Sequence, residues 1–262
     1  MKNIKVIVAT HKKYEMPDDK MYMPLHAGAE GKEDIGYKKD NTGKNISKKN
    51  PFFCELTALY WAWKNLNADY VGLVHYRRHL TNKKNPGKTP EEKLKNVLTL
   101  SEANKLFNDT DIILPNKRKY YIENLYDHYK HTMYVEALDE TRKIIEDRCP
   151  KYLDEFDKLH KRTSSHMFNM FIMKKNVLDG YCNWLFNILF ELEKRMKGKE
   201  YDAFHSRFYG RISELLLDIY INTNSLSYKE VKFVEIENIN WWKKGTSFLK
   251  AKFLGKKYGK SF

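Results

Sequence analysis

The side chains best suited to chemistry stand together at the end of one apolar segment. The run Tyr70–Val74 has the composition of a buried strand, and residues 75–79 (His-Tyr-Arg-Arg-His) follow it without a Gly, Pro, Asn or Asp turn. Guanidinium, imidazole and phenol groups donate hydrogen bonds to anions, and Arg keeps its charge at neutral pH. Ligands of open α/β sheets bind beyond the carboxyl ends of the strands. We therefore predict an anion-binding site here, and the alternative is a solvated basic turn.

Carboxylate pairs that would hold a metal ion are poorly placed. Asp109-Thr110-Asp111 has the D-x-D pattern that binds a divalent ion against a diphosphate in many sugar transferases, but it precedes its apolar strand. We interpret it as a turn, because that is the wrong end of a strand for a site. Arg and His donors can also stabilise a leaving diphosphate. We hypothesise that residues 75–78 take the charge that a metal ion would otherwise take.

A second polar cluster, residues 205–214, precedes a late apolar helix. Its basic residues Arg207 and Arg211 oppose the helix dipole, which favours an anionic ligand at this point. Ser213 could cap the helix, or Gly210 could mark a close approach. Glu214 is our candidate general base, since an inverting transferase needs a base to deprotonate the attacking hydroxyl. The alternative is a first-turn Glu that stabilises its own helix.

Four further residues are candidates for sugar or acceptor binding. Asn169 lies within an otherwise apolar run and needs hydrogen-bond partners if it is buried. His166 precedes it, and its alternative role is a structural histidine. Glu55 stands near the start of a helix, where the dipole alone would also favour a carboxylate. His26 belongs to a long polar segment, and such loops are often functional.

The elements that position these residues follow from the hydrophobic pattern. A strand at Ile4–Thr10 ends at His11, a long loop covers Met16–Asn50, and a helix from Asn50 to Leu66 leads into the strand Tyr70–Val74, as in a βαβ unit. Further predicted strands are Asp111–Pro115, Met167–Met173 and Lys232–Ile236. Further predicted helices are Ser101–Phe107, segments within Ile122–Lys161, Val177–Lys194 and part of Phe204–Thr223, with a loop at Asn82–Glu92.

Composition restricts the class of protein. The chain of 262 residues is 42% hydrophobic, which suffices for a core, and its net charge of +14 would attract polyanions, anionic membranes or phosphorylated ligands. No nucleic-acid-binding module is found, so we expect no nucleic-acid partner. Three scattered cysteines fit a reducing cytosol. No signal peptide or membrane span is predicted, so we expect a cytoplasmic protein.

The end of the chain has a different character. Residues 240–262 combine Trp and Phe residues with many lysines, which is typical of an interfacial helix or a polybasic membrane contact. The alternative is a terminal helix that packs on the core. We therefore divide the chain into a catalytic domain, residues 1–239, and a basic amphipathic tail, residues 240–262.

Several segments together resemble a bacterial family of capsular and exopolysaccharide glycosyltransferases. The segments that carry the resemblance are Val6–Lys12, Asn50-Pro51 with Glu55–Asn65, Gly72–His79, His166–Phe171, and Arg207 with Gly210–Glu214. The resemblance implies a GT-A-like architecture, a Rossmann-type mixed sheet flanked by helices, with a helical C-terminal extension. It also implies sugar transfer to a lipid-linked or growing glycan at the inner face of the cytoplasmic membrane. Some relatives are similar to galactofuranosyltransferases, so UDP-galactofuranose is the expected donor.

These considerations give each candidate residue an expected role. We expect Glu214, His75 and Arg77 to be catalytic. The expected diphosphate-binding residues are Thr10, His11, Tyr76, Arg78, Arg207 and Arg211. The expected sugar- and acceptor-binding residues are His26, Glu55, His166 and Asn169. No metal ligand is assigned, and dependence on Mn²⁺ or Mg²⁺ stays open.

One alternative belongs to a different class. A non-catalytic binding protein for nucleic acid or acidic polysaccharide would also carry a large positive charge. The placement of the basic residues distinguishes the two. If they spread over one outer face, binding is favoured. If His75, Arg77, Arg78 and Arg211 converge in one place, an enzyme is favoured.

Overall fold

The protein is described here by a computed structural model that covers residues 2–237. Its strands are β1 (Ile4–Thr10), β2 (Tyr22–His26), β3 (Lys38–Lys39), β4 (Tyr70–His75), β5 (Arg78–Thr81), β6 (Ile112–Pro115), β7 (Arg118–Lys119), β8 (Ser164–Ser165), β9 (Phe171–Lys174) and β10 (Lys229–Glu235). Its α-helices are α1 (Asn50–Phe53), α2 (Leu56–Asn65), α3 (Pro90–Lys95), α4 (Leu100–Leu106), α5 (Leu125–Thr132), α6 (Glu136–Arg148), α7 (Leu153–Asp157), α8 (Lys175–Arg195) and α9 (Phe208–Thr223). The predicted tail, residues 240–262, lies outside the described residues.

Eight strands form one mixed sheet. Their order is β3-β2-β1-β4-β5-β10-β6-β9, and β9 also pairs with β4. β1 is parallel to β2 and β4, whereas β4 is antiparallel to β5 and β9. β7 and β8 form a separate two-stranded sheet. The predicted mixed α/β architecture with flanking helices is confirmed.

The centre of the sheet is buried on both faces. Val6, Ile7 and Val8 of β1 are fully buried, as expected for a strand covered by helices on either side. Helices α2 and α8 pack against this region, where they contact β4 and each other. The ends of β1 and β4 are therefore held rigidly at the point where the polar residues begin.

The segment Met16–Asn50, predicted as one long loop, contains two strands. β2 lies parallel to β1 and β3 lies parallel to β2. The sequence of β2 includes Pro24, which is uncommon inside a sheet, and its five residues show no clean alternation of polar and apolar side chains. Pairing with the buried strand β1, rather than local propensity, makes this segment a strand.

The predicted strand Met167–Met173 begins later than expected. Only Phe171 and the residues after it are extended, while Phe168 and Asn169 have φ angles of 76° and 51°. The preceding residues are buried but turn sharply, and an apolar run does not distinguish a buried turn from a strand.

Within residues 2–237, no helix is both long enough and apolar enough to cross a bilayer.

Candidate active site

Three strand ends meet at one edge of the sheet. In the β1–β2 pair Thr10 lies opposite His26, and in the β1–β4 pair Ala9 lies opposite His75. These three strands run parallel, so their carboxyl ends share one edge, where α/β proteins commonly bind ligands. The register of the sheet thus brings Thr10, His26 and His75 to one edge.

The turn after β4 places a histidine and an arginine side by side. His75 and Arg78 are paired where β4 meets β5. The His75 Nε2 atom lies 2.6 Å from the carbonyl oxygen of Phe168. Burial lowers the pKa of His75, although the Glu55 carboxylate opposes this effect. The Arg78 guanidinium donates from Nε to Glu235 at 2.8 Å and lies 4.6 Å from the centroid of the Phe168 ring.

Arg77 lies at the more exposed rim of the same turn. Its side chain is 35% exposed, and its Nη1 atom is 3.7 Å from a Glu237 carboxylate oxygen. The Tyr76 ring packs edge-on against His11 with the centroids 5.4 Å apart. Partial burial lowers the pKa of His11, and the positive charges of Lys12, Arg77 and other basic side chains lower it further. The His11 imidazole therefore lies in an electropositive rim.

A break in the predicted helix Asn50–Leu66 directs Glu55 toward this edge. The helix is divided into α1 and α2 at Cys54, whose φ of 51° and ψ of −131° are unusual for a residue other than glycine. Asn50 is the first residue of α1, and its Nδ2 donates to the Cys54 carbonyl at 2.8 Å. The Arg207 Nε donates to the Cys54 Sγ at 2.9 Å. Strain of this kind is common at functional sites.

Asn169 connects three elements in the buried part of the site. Its Nδ2 donates to Glu55 Oε1 at 2.7 Å and to the Gly210 carbonyl at 3.1 Å. Its Oδ1 atom is buried and has no protein hydrogen-bond partner in the described structure. The left-handed backbone at Asn169 suits this residue type, because Asn tolerates it better than most. The amide therefore fixes Glu55 and leaves one acceptor open.

Glu214 is a buried carboxyl group in the same cluster. It is the seventh residue of α9 and 5% exposed, so the interpretation as a first-turn helix stabiliser is wrong. Ser213 likewise lies inside the helix and does not cap it. Burial raises the pKa of Glu214, and the Glu55 carboxylate raises it further. The positive charges of Arg211 and Arg78 oppose this increase. The Arg211 Nη1 atom lies 3.6 Å from Glu214 Oε1.

The β7 region contributes residues that sequence reasoning missed. Arg118 and Tyr120 lie near Glu214, and the guanidinium of Arg118 also counteracts the rise in the pKa of Glu214. The Tyr120 ring lies 4.2 Å from the ring of His128, and burial lowers the pKa of that histidine to about 4. The available signal was the basic and aromatic run Lys117–Tyr120 directly after β6, which resembles the run after β4.

Several arginines from different parts of the chain lie together at this edge. Arg78, Arg118 and Arg211 converge with His75, Glu55 and Glu214 at one edge of the sheet, with Arg77 and Arg207 at the rim. In such a cluster the arginines can bind an anion, and the buried carboxyl groups beside them can take or give a proton.

Residues 5–225 of the chain match a protein family described as "Domain of unknown function (DUF4422)". The chain belongs to this family. No curated protein matches the chain.

This DUF4422 chain is also similar to a solved structure, the apo form of WbbM, which is described as a bifunctional glycosyltransferase. The two superpose with a TM-score of 0.82 and share 32% sequence identity. The match covers 90% of this chain and 46% of that chain, so the DUF4422 chain spans about half the length of WbbM.

Two histidines predicted to bind sugar or acceptor are buried in the DUF4422 chain. His166 is fully buried, with Nδ1 bonded to Asp218 and Nε2 2.9 Å from Glu230 Oε1, so both ring nitrogens are engaged. His26 is buried, and neither ring nitrogen has a hydrogen-bond partner in the described structure. Burial lowers the pKa of His26.

The Thr10 side chain, predicted to bind diphosphate, is used within its own turn. Its Oγ1 donates to the Lys12 carbonyl at 2.6 Å, and the residue is 2% exposed. This bond shapes the loop that presents His11 after β1. Of the predicted residues, Thr10 and His166 are thus held by protein contacts rather than turned toward the arginine and carboxylate cluster.

The D-x-D residues lie away from this cluster. Asp109 pairs with Lys229 at 2.5 Å and Asp111 pairs with Lys174 at 3.2 Å, both just before the start of β6. Their position agrees with the interpretation as a turn. Among residues 2–237, no three or more His, Cys, Asp or Glu side chains are grouped so as to hold a metal ion.

Proposed function

We propose that this protein is a glycosyltransferase that moves a sugar from a nucleotide-sugar donor to a glycan acceptor. The observation that carries the proposal is the convergence of Arg78 and Arg211 with two carboxyl groups, Glu55 and Glu214, at the carboxyl edge of the sheet. The similarity to WbbM, at 32% identity over 90% of this chain, supports the same reaction class. This arrangement disfavours a non-catalytic polyanion-binding protein, which has no need for a buried, unpaired carboxyl oxygen.

In the proposed reaction the arginines stabilise the leaving group. The bond between the sugar anomeric carbon and the diphosphate oxygen breaks, and its electron pair stays on the diphosphate. Arg78 and Arg211, together with Arg77 and Arg207 at the rim, offer guanidinium groups to this developing charge. His75, His11 and Tyr76 border the same anion site.

Glu214 serves as the general base in this proposal. It takes the proton of the acceptor hydroxyl while the hydroxyl oxygen forms its bond to the anomeric carbon, which gives inversion of configuration. Glu55 and Asn169, joined by a 2.7 Å hydrogen bond, orient the sugar or acceptor hydroxyls. His26 lies at the end of β2, at the same edge of the sheet. A raised pKa suits a base that must hold a proton after the transfer.

The finer assignments rest on the family resemblance of the sequence. We propose a GT-A-like fold, UDP-galactofuranose as the donor and a lipid-linked or growing surface polysaccharide as the acceptor. We place the protein at the inner face of the cytoplasmic membrane, where its basic C-terminal tail contacts anionic lipid. We further propose that the arginine cluster replaces a metal ion.

The test is an activity screen of the full chain with nucleotide sugars, including UDP-galactofuranose, and glycan acceptors, with release of the nucleoside diphosphate as the readout. Transfer that persists in EDTA supports the metal-free mechanism. Loss of transfer that Mn²⁺ restores would remove only the metal clause. Failure to consume any nucleotide sugar, with or without Mn²⁺ and with a range of acceptors, would contradict the proposed function.

Arg77→Ala tests the anion site with little risk to the fold, because Arg77 is partly exposed and its contact with Glu237 is long, at 3.7 Å. We expect a large loss of transfer with an unchanged melting temperature. Lys13→Ala removes an exposed charge from the loop after β1 and serves as the matched control. Activity of Arg77→Ala equal to that of the control would exclude Arg77 from the mechanism.

A further inference from the structure

Arg118 has an environment that differs from those of the other arginines around the site. It lies on β7, which pairs with β8 just before the turn that carries Phe168. The side chain is half-buried, with its guanidinium carbon 5.0 Å from the centroid of the Tyr120 ring and 5.9 Å from that of Phe168. Aromatic faces hold this guanidinium in place while leaving its hydrogen-bond donors available.

The other site arginines have partners within the protein. Arg78 is paired with Glu235, Arg77 with Glu237 and Arg211 with Glu214. Arg207 donates to the Cys54 sulfur. By contrast, no Asp or Glu oxygen of residues 2–237 lies within 4.0 Å of the Arg118 guanidinium.

A half-buried guanidinium without a counter-charge has lost part of its hydration and has gained no ion pair. Arg118 cannot relieve this by losing its proton, because guanidinium stays charged in proteins. Glu214 acts on Arg118 only at longer range than an ion pair, so the guanidinium keeps donors that suit an anionic ligand.

Arg78 and Arg118 approach one aromatic ring, that of Phe168, from two elements. Both lie near the Phe168 ring, Arg78 at 4.6 Å and Arg118 at 5.9 Å from its centroid. Both act electrostatically on the Glu214 carboxyl group. Two guanidinium groups that share one aromatic neighbour can bind different oxygens of one diphosphate.

We propose that Arg118 is a further anion-binding residue, which together with Arg78 holds the diphosphate of the nucleotide-sugar donor. The proposal rests on the proposed function, and it adds a residue from β7 to a site otherwise built from β4, β5, α9 and the segments that carry Glu55 and Asn169. In this arrangement Arg118 supplies the uncompensated positive charge, whereas the charge of Arg78 is partly offset by Glu235.

Calorimetric titration of the full chain tests this assignment with three probes: UDP, inorganic pyrophosphate and uridine. We expect Arg118→Gln to weaken binding of UDP and of pyrophosphate by about tenfold or more, since charge-assisted hydrogen bonds are lost. Uridine affinity should stay unchanged, because the nucleoside lacks the diphosphate. The UDP affinity of Arg118→Lys should lie between that of the wild type and that of Arg118→Gln, since lysine keeps the charge but loses the forked geometry.

Lys119→Gln is the matched control. It removes the same charge from the neighbouring, exposed position of β7 and should change UDP affinity by less than about twofold at physiological salt. If Lys119→Gln weakens binding as much as Arg118→Gln does, the effect is one of general charge and the assignment is wrong. A melting temperature near that of the wild type shows that each variant is folded.

The outcomes separate this inference from the proposed function. Wild-type affinity for UDP and pyrophosphate in Arg118→Gln would overturn the inference and leave the glycosyltransferase proposal intact. Arg118-dependent binding of pyrophosphate without consumption of any nucleotide sugar would support the anion site and contradict the reaction. A wild-type chain that binds neither UDP nor pyrophosphate would contradict both.

Discussion

At the scale of single residues, the site is defined by polar atoms that the protein leaves unsatisfied. Glu214 Oε2 and Asn169 Oδ1 are buried acceptors without a protein partner in the described residues. Such atoms cost stability unless a ligand or water supplies a donor. Their position beside Glu55 agrees with the proposal that these side chains serve a ligand.

Glu214→Gln tests the base. A catalytic loss of about 10²- to 10⁴-fold in kcat is expected for removal of a general base. The variant should also melt at a higher temperature than the wild type near neutral pH, because it no longer has to bury a charge. Activity assays and thermal melts on the same samples provide both measurements.

The pH dependence of that stability difference follows from the sign of the pKa shift. The pKa of Glu214 is raised above its ordinary value of 4.5, so the folded state holds the proton more tightly than the unfolded state. The stability that the folded state gains from this proton is fully present below pH 4.5 and is lost as the pH rises through the pKa of the folded state. The advantage of Glu214→Gln should therefore grow with pH.

Glu146→Gln, on the exposed face of α6, is the control for a carboxylate outside the site. It should change neither activity nor melting temperature appreciably. A fully active Glu214→Gln that is less stable than the wild type at neutral pH would instead assign Glu214 a structural role.

Two substitutions of Asn169 distinguish the effect of its left-handed backbone from the effect of its side-chain hydrogen bonds. Both Asn169→Gly and Asn169→Ala remove the hydrogen bonds to Glu55 and Gly210, so both should lose activity to the same extent. Alanine should cost about 1 kcal/mol more in unfolding free energy, because a residue with a Cβ atom is strained at a φ of 51°. Denaturant unfolding and transfer assays measure the two effects. Equal stability of the two variants would show that the backbone strain is unimportant.

At the scale of elements, the site depends on breaks in regular structure. The interruption between α1 and α2 positions Glu55, and the left-handed turn before β9 positions Asn169. The loop after β2 packs against the start of α1, because Gly28 lies directly against Asn50. Asp40 holds this loop by accepting hydrogen bonds from the backbone N–H groups of Gly28 and Ala29.

Gly28→Ala tests this contact between elements. A Cβ atom at residue 28 would lie 2.2 Å from the Asn50 Cγ, and the φ of +66° is itself unfavourable for alanine. Gly31→Ala is the matched control, because its φ of +70° carries similar strain but no atom lies within 4 Å of the added carbon. We expect a loss of about 1 kcal/mol in unfolding free energy for Gly31→Ala from strain alone, and a clearly larger loss for Gly28→Ala.

Denaturant unfolding of the two glycine variants gives the comparison. Because Asn50 also holds the Cys54 carbonyl, Gly28→Ala should reduce transfer as well as stability. Equal losses of stability in both variants would mean that the loop shifts freely and does not support the helix break.

At the scale of the whole molecule, the net charge of +14 and the convergence of arginines at one edge act together. A positive field increases the rate at which an anionic donor reaches the site, and salt screens this effect. The charge affects encounter more than chemistry, because the reacting groups are in contact once the donor is bound.

We therefore expect kcat/KM for the nucleotide sugar to fall several-fold as salt is raised from about 0.02 M to about 0.5 M. The value of kcat should change little over the same range and serves as the internal control. Steady-state kinetics at a series of salt concentrations measure both. A kcat/KM value that is insensitive to salt would show that the charge serves another purpose, such as contact with anionic lipid.

The amino-acid sequence alone predicted several of the regular elements and the residue types of the candidate site. Long apolar segments such as Ile4–Thr10 and Tyr70–Val74 are strands because their composition permits little else, and the polar residues at their ends indicated where a ligand binds. Arg77, Arg78, Arg207 and Arg211 were identifiable because basic residues at a strand end or before a helix are unusual in local terms, whereas Glu214 was selected because an inverting transfer needs a base.

The tertiary structure decided which of these residues meet and what they do. Pairing with β1 made Tyr22–His26 a strand, contacts from Asn50 and Arg207 stabilised the break at Cys54, and burial beside Glu55 changed the proton affinity of Glu214. It also engaged His166 with Asp218 and brought Arg118 to the site. Each of these outcomes depends on groups distant in sequence, so local pattern and propensity carry no information about them.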